Sequence, residues 1–130
     1  LDFEKVMEAW GLDDASFSNG AAYADLDNDG DLDLVVNNIN SAAFVYRNNS
    51  ESIINSNFLR VQLVDKEHRP VLGSRINLYT GKETQTYETT NVRGIYSTSE
   101  PFVHFGLHKT TIVDSIVVIW PNQTKTIQRH

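Results

Sequence analysis

Nine consecutive residues restrict this chain more than any other feature: Asp25-Leu26-Asp27-Asn28-Asp29-Gly30-Asp31-Leu32-Asp33. Acids that alternate along a tightly curved backbone converge on one side, so Asp25, Asp27, Asp29 and Asp33, at loop positions one, three, five and nine, face a common point. Gly30, at position six, permits the positive φ that such a turn needs. Without a cation these carboxylates would repel one another and raise one another's pKa. The plain alternative is a solvated acidic turn, which needs no such crowding. Calcium, which takes six to eight hard oxygen ligands at about 2.3–2.6 Å, matches the pattern. In this reading Asp25, Asp27, Asp29 and Asp33 give side-chain oxygens and Asp31 its backbone carbonyl. Leu26 and Leu32 then point away from the ion and anchor the loop in the core.

An EF-hand is a different solution. It closes with a bidentate glutamate at position twelve and continues into a helix. Position twelve here is Val36, inside the strand-like run Leu34-Val35-Val36. The loop therefore links two strands, Ala21–Ala24 before it and residues 32–36 after it, with Ala43–Tyr46 as a third beyond Asn37-Asn38-Ile39-Asn40. Ahead of them, Phe3, Val6, Met7 and Trp10 stand at i, i+3, i+4 and i+7, which predicts one or two helical turns ended by Gly11, or else a short strand and turn.

The rest of the chain reads as β. Leu59, Val61 and Leu63 alternate with Arg60 and Gln62, the period of a half-buried strand. Leu72, Ile76 and Leu78 give another, and Thr80-Gly81-Lys82 predicts a hairpin into residues 83–89. Strands at residues 103–105, 113–120 and 125–128 complete the pattern, with a turn at Pro121-Asn122. Short strands separated by polar turns predict an all-β chain built on a small antiparallel sandwich or barrel.

Charge divides the sequence at the same place as composition. Residues 1–55 hold eleven acids against Lys5 and Arg47, whereas residues 56–130 hold nine bases against six acids. The polar stretch between residues 48 and 57 marks the boundary. Two units are expected, 1–55 and 56–130. The longest apolar run, Ile116-Val117-Val118-Ile119-Trp120, is strand-sized, so no membrane span is expected. The absence of cysteine removes thiol nucleophiles, thiolate metal sites and disulfides. A start at Leu1 suggests a piece of a longer, processed protein.

The acidic loop with its flanks, Gly20-Ala21-Ala22-Tyr23-Ala24 and Leu34-Val35-Val36-Asn37-Asn38, resembles the calcium loops of FG-GAP (VCBS) repeats, the blades of integrin α-type β-propellers. Five further motifs follow in order: Asn57-Phe58-Leu59-Arg60-Val61, Gly73-Ser74-Arg75-Ile76, Arg93-Gly94-Ile95-Tyr96-Ser97, His104-Phe105-Gly106-Leu107 and Val118-Ile119-Trp120-Pro121. Together they resemble the ASPIC/UnbV domain, which follows such repeats in cartilage acidic protein and related exported bacterial proteins. Two departures stand out, His108 and Gln123, at or near positions where that family usually has glycine. The resemblance implies one partial propeller-type repeat docked on an ASPIC/UnbV-like β-domain, in an exported, cell-surface or periplasmic protein.

No catalytic constellation emerges. His104 and His108, on an extended strand, would stand about 13 Å apart, too far to share a zinc. Glu83, Glu88 and Glu100 are scattered singly, no serine sits in a nucleophile elbow, and no glycine loop cradles phosphate. The acidic balance and the lack of a recognition helix argue against nucleic acid. Arg60, Arg75, Arg93, Tyr79, Tyr87 and Tyr96 could form a basic aromatic face for an acidic glycan, against the plainer reading of arginines alternating outward along strands with tyrosines covering a sheet. The expectation is a non-catalytic calcium-binding fragment for adhesion or ligand binding, its partner a protein or a glycan. The alternatives are a carbohydrate-binding module of a polysaccharide-degrading system and an accessory domain of a larger hydrolase.

Overall fold

A computed structural model describes residues 2–81 and 83–129. The chain is all-β, with nine strands in three antiparallel sheets among the described residues. They are β1 (Ser18–Ala24), β2 (Asp33–Asn38), β3 (Phe44–Tyr46), β4 (Asn57–Val61), β5 (Arg75–Thr80), β6 (Glu83–Glu88), β7 (Val103–His108), β8 (Ser115–Ile119) and β9 (Lys125–Arg129). The first sheet runs β1-β2-β3, the second pairs β4 with β7, and the third runs β6-β5-β8-β9. None of them closes into a barrel. Among the described residues no helix is long and apolar enough to cross a membrane.

The core follows from the period-2 pattern. On β5 the even positions Ile76 and Leu78 are fully buried; on β7 Val103, Phe105 and Leu107 are buried while Gly106 and His108 face outward. Val118 of β8 stands opposite Ile76 in register, and Leu63 closes the cluster from beyond β4. The two-stranded and four-stranded sheets thus pack face to face as a small sandwich. Burying side chains of this size contributes about 1.5–3 kcal/mol each, which makes this cluster the main stabilising unit. The β5–β6 hairpin forms where expected, with Gly81 at φ +58°. Lys82, in the predicted turn, lies outside the described residues. At Pro121-Asn122 the turn closes through the Trp120 and Thr124 backbones at 2.9 Å.

The helix-like spacing of residues 3–10 yields a single turn, closed by Trp10 N–H on Val6 O at 3.1 Å and ended by Gly11 at φ +67°. Phe3 is 92% exposed and Trp10 72% exposed, so no surface covers the apolar stripe. A helix this short is marginal unless tertiary packing supports it. The polar segment expected as a boundary has a structural task as well. A 3-10 turn at Ser50–Ser52 fastens it to the acidic loop, as described below.

Candidate metal centre

The last rung of the β1–β2 ladder is Ala24 opposite Asp33, so the acidic run becomes the loop that joins the two strands. Two left-handed residues curl it, Asn28 at φ +61° and Gly30 at φ +98°. The aromatic ring of Phe58, on β4, covers Gly30 closely enough that a methyl group there would overlap it. This ring also stacks on His104 of β7, 5.2 Å between centroids.

The structure brings Asp25, Asp27 and Asp29 together: one carboxylate oxygen from each lies within 4.8 Å of the others. Oxygens bound to one calcium at about 2.4 Å can stand at most about 5 Å apart, so the triad fits a single ion. Asp25 adds an independent sign. Its side chain is 2% exposed, its Oδ2 lies 3.5 Å from Arg60 Nη1, and its buried Oδ1 has no hydrogen-bond partner. A buried anionic oxygen without a donor is unfavourable unless a cation meets it.

Asp31 and Asp33 are placed outside this triad. Asp31 directs its carboxylate to the Ser50 hydroxyl at 2.8 Å and to the Glu51 N–H, in keeping with a role limited to its backbone carbonyl. Asp33, expected to give a side-chain oxygen to the ion, instead spans the loop's base. Its Oδ2 accepts from Leu26 N–H at 3.0 Å and its Oδ1 from Asn48 N–H at 2.8 Å. The Asp31 N–H donates to Asp29 Oδ1 at 3.0 Å, and this is the main reason the Asp29 pKa is lowered, with Arg47 adding to it. Arg47 is the cation of the loop, its Nη2 2.9 Å from Asp27 Oδ2 and 3.1 Å from Asp29 Oδ2. It is 59% exposed, so these pairs are screened and worth little.

Beside the triad, Arg60 connects the loop to the sandwich. Its Nη2 pairs with Glu100 at 2.8 Å and its guanidinium lies 4.5 Å from the centre of the Phe102 ring. Here a cleft of about 160 Å³ opens between the first sheet and the sandwich, lined by Tyr23, Leu32, Tyr87, Glu100, Phe102 and His104. The Tyr23 and Tyr87 hydroxyls meet at 3.3 Å, and Arg93 lies over both rings, 5.7 and 5.0 Å from their centres. Burial, reinforced by Arg60, lowers the His104 pKa.

Of the residues expected to form a ligand face, Tyr87 lines this cleft, while Arg60 and Arg93 pack over rings that line it without lining it themselves. Arg75 lies instead against Glu88 at 4.0 Å, beside Trp120 and Gln123. Tyr96 is fully exposed in a turn at φ +52°. Tyr23, Glu100, Phe102 and His104 were not expected around one cleft, because no short sequence spacing links residue 23 to residue 104. His104 and His108 share β7, the first stacked on Phe58 and the second exposed at the strand's end.

The family model described as ASPIC and UnbV matches residues 64–130, which covers β5 to β9. No curated protein matches the chain.

Proposed function

We infer the function from a premise already established, that the chain belongs to the ASPIC and UnbV family, and read it as a non-catalytic calcium-binding module for adhesion or ligand binding. The observation that carries this reading is the convergence of Asp25, Asp27 and Asp29, beside which a buried Asp25 oxygen has no donor. Asp25, Asp27 and Asp29 would hold the ion by side chains and Asp31 by its carbonyl, with Asp33 fixing the loop's base. The ion supplies positive charge and no reaction: it offsets the acids of residues 1–55 and stiffens the β1–β2 connection. The likeness of this loop and its flanks to an FG-GAP repeat supports the same reading, and with it export to a calcium-rich compartment. In this reading the chain binds and does not catalyse.

A thermal melt in chelator, in magnesium and across a calcium titration tests this. Extracellular calcium sites bind at about 0.1–1 mM. At ten times the dissociation constant the ligand stabilises by roughly 1.4 kcal/mol, a rise on the order of 5 °C for a chain of this size. A saturable rise with calcium and none with magnesium supports the reading. A cooperative melt that ignores calcium refutes it.

The carbohydrate-binding alternative draws support from a different place, the aromatic cleft between the first sheet and the sandwich.

A further inference from the structure

We propose that the cleft between β1 and the sandwich binds a carboxylate-bearing sugar, a hexuronate unit of an acidic polysaccharide, with Arg93 receiving the carboxylate. This deepens the ligand-binding reading above and rests on it, while standing apart from the calcium loop.

Arg93 is the starting point. Among the described residues it forms no ion pair, and its Nε and Nη2 atoms are buried without a hydrogen-bond partner. Those two atoms form the side-on fork of a guanidinium, whose parallel N–H groups match the two oxygens of a carboxylate. A cation held over two tyrosine rings gains from their faces but leaves its donors unpaired. Arg93 sits in the irregular segment between β6 and β7, outside the strand ladders, and in the proposed complex its side chain turns this edge into the cleft. The segment itself is fixed to β1, with Ala21 N–H donating to Ser97 Oγ at 3.2 Å and Arg93 N–H to Ser97 O at 3.1 Å.

The remainder of the cleft selects the ligand's body. Tyr23, Tyr87 and Phe102 present ring surface, on which the apolar face of a pyranose packs. The polar groups around those rings are mixed in kind. Glu100, paired with Arg60 at 2.8 Å, accepts hydrogen bonds; the buried Nδ1 of His104 and the Nε of Arg60 have no partner. A flat aromatic acid would satisfy Arg93 and leave Glu100, His104 and Arg60 as they are. Hydroxyls both donate and accept, so a ring bearing several of them can serve all three. The carboxylate belongs at the Arg93 end, because at the other end Glu100 and Asp25 share the one cation Arg60 and would repel it.

Nuclear magnetic resonance titration of the full chain tests this, using methyl β-D-glucuronide as probe, with methyl β-D-glucoside and benzoate as controls. The glucuronide should shift the Tyr23, Tyr87 and Phe102 ring signals saturably. It should bind at least about tenfold more tightly than the glucoside, the margin between charge-assisted and neutral hydrogen bonds. Arg93→Gln should lose about the same factor, whereas Arg75→Gln, outside the cleft, should not. Equal binding of the glucoside overturns the carboxylate assignment, and equal binding of benzoate overturns the sugar. Shifts confined to other residues, or none in a cooperatively folded sample, overturn the site. Each titration is run in calcium and in chelator beside the melt described above. Sugar binding without a calcium-dependent melt refutes the metal reading alone, and a calcium-dependent melt without sugar binding refutes the cleft alone.

Discussion

The ring of Phe58 rests on the α-carbon of Gly30, so the tip of the acidic loop and the first strand of the sandwich meet at a position that tolerates no side chain. Gly30 also holds φ +98°, a conformation that L side chains rarely adopt. Two separate penalties therefore fall on Gly30→Ala, backbone strain and overlap with the ring. The expected loss is about 2 kcal/mol or more. In Phe58→Ala the overlap vanishes and the strain remains, so adding Gly30→Ala to that background should cost distinctly less. Chemical denaturation of the four proteins measures the difference, and strict additivity would show that the ring does not press on the loop.

Asp33 and Asp27 belong to the same acidic run but have opposite tasks. Asp33 is 2% exposed and accepts two backbone N–H groups, which makes it part of the fold with or without an ion. Asp33→Asn can offer only one carbonyl oxygen to those two donors and should lower stability by about 1–3 kcal/mol even in chelator. Asp27 faces Arg47 in an exposed pair, and Asp27→Asn should change stability in chelator by less than about 0.5 kcal/mol. Its effect should appear in calcium, as a weakened melting shift. If both variants behave alike in chelator, the division between scaffold and ligand is wrong.

Which parts of this architecture could be read from the residues follows from the range of the interactions involved. The β5 and β7 strands were legible because burial on alternate positions writes a period-2 pattern into Ile76, Leu78, Val103, Phe105 and Leu107. The loop was legible because its acids are local. Spacing alone did not separate Asp33 from the triad: that distinction depends on Asn48, fifteen residues away, presenting its N–H. The stripe of Phe3, Val6, Met7 and Trp10 gives the single turn ended by Gly11 and no more. Its period is helical, but it has no packed surface to make a helix worthwhile. The cleft joins residues 23, 87 and 104, so only the docking of β1 against the sandwich could reveal it.

His108 and Gln123 mark the two positions where the resemblance to the ASPIC/UnbV pattern breaks, and both adopt the left-handed conformation, at φ +51° and +67°. His108 ends β7 where the pairing with β4 shifts by one residue, and Gln123 turns the chain between β8 and β9. A non-glycine residue in this region carries strain of about 1 kcal/mol, partly offset by the greater chain entropy of an unfolded glycine. His108→Gly and Gln123→Gly should each raise stability by up to about 0.5 kcal/mol. His108→Ala, which removes the imidazole and keeps the strain, should not. A gain in the alanine variant would move the explanation from the backbone to the side chain.

Asp65 provides a pH dependence with a definite sign. In the turn that brings Val64 opposite Pro70, its Oδ1 accepts from the N–H groups of Arg69 at 3.0 Å and Glu67 at 2.8 Å, and its Oδ2 from Arg69 Nε at 2.9 Å. The Arg69 backbone N–H is the main reason its pKa is lowered, followed by the Arg69 side chain. A carboxyl group whose pKa is lower in the folded state stabilises fully above the unfolded value of about 3.9 and loses that contribution as pH falls through the folded value. Asp65→Asn keeps an acceptor oxygen but removes the charge, and should melt below wild type at neutral pH. The gap should close as acid protonates Asp65 in the wild-type protein and makes the two side chains alike. Thermal melts at matched ionic strength between neutral and strongly acidic pH measure it. A gap that stays constant across that range would show that the turn depends on the shape of the side chain and not on its charge.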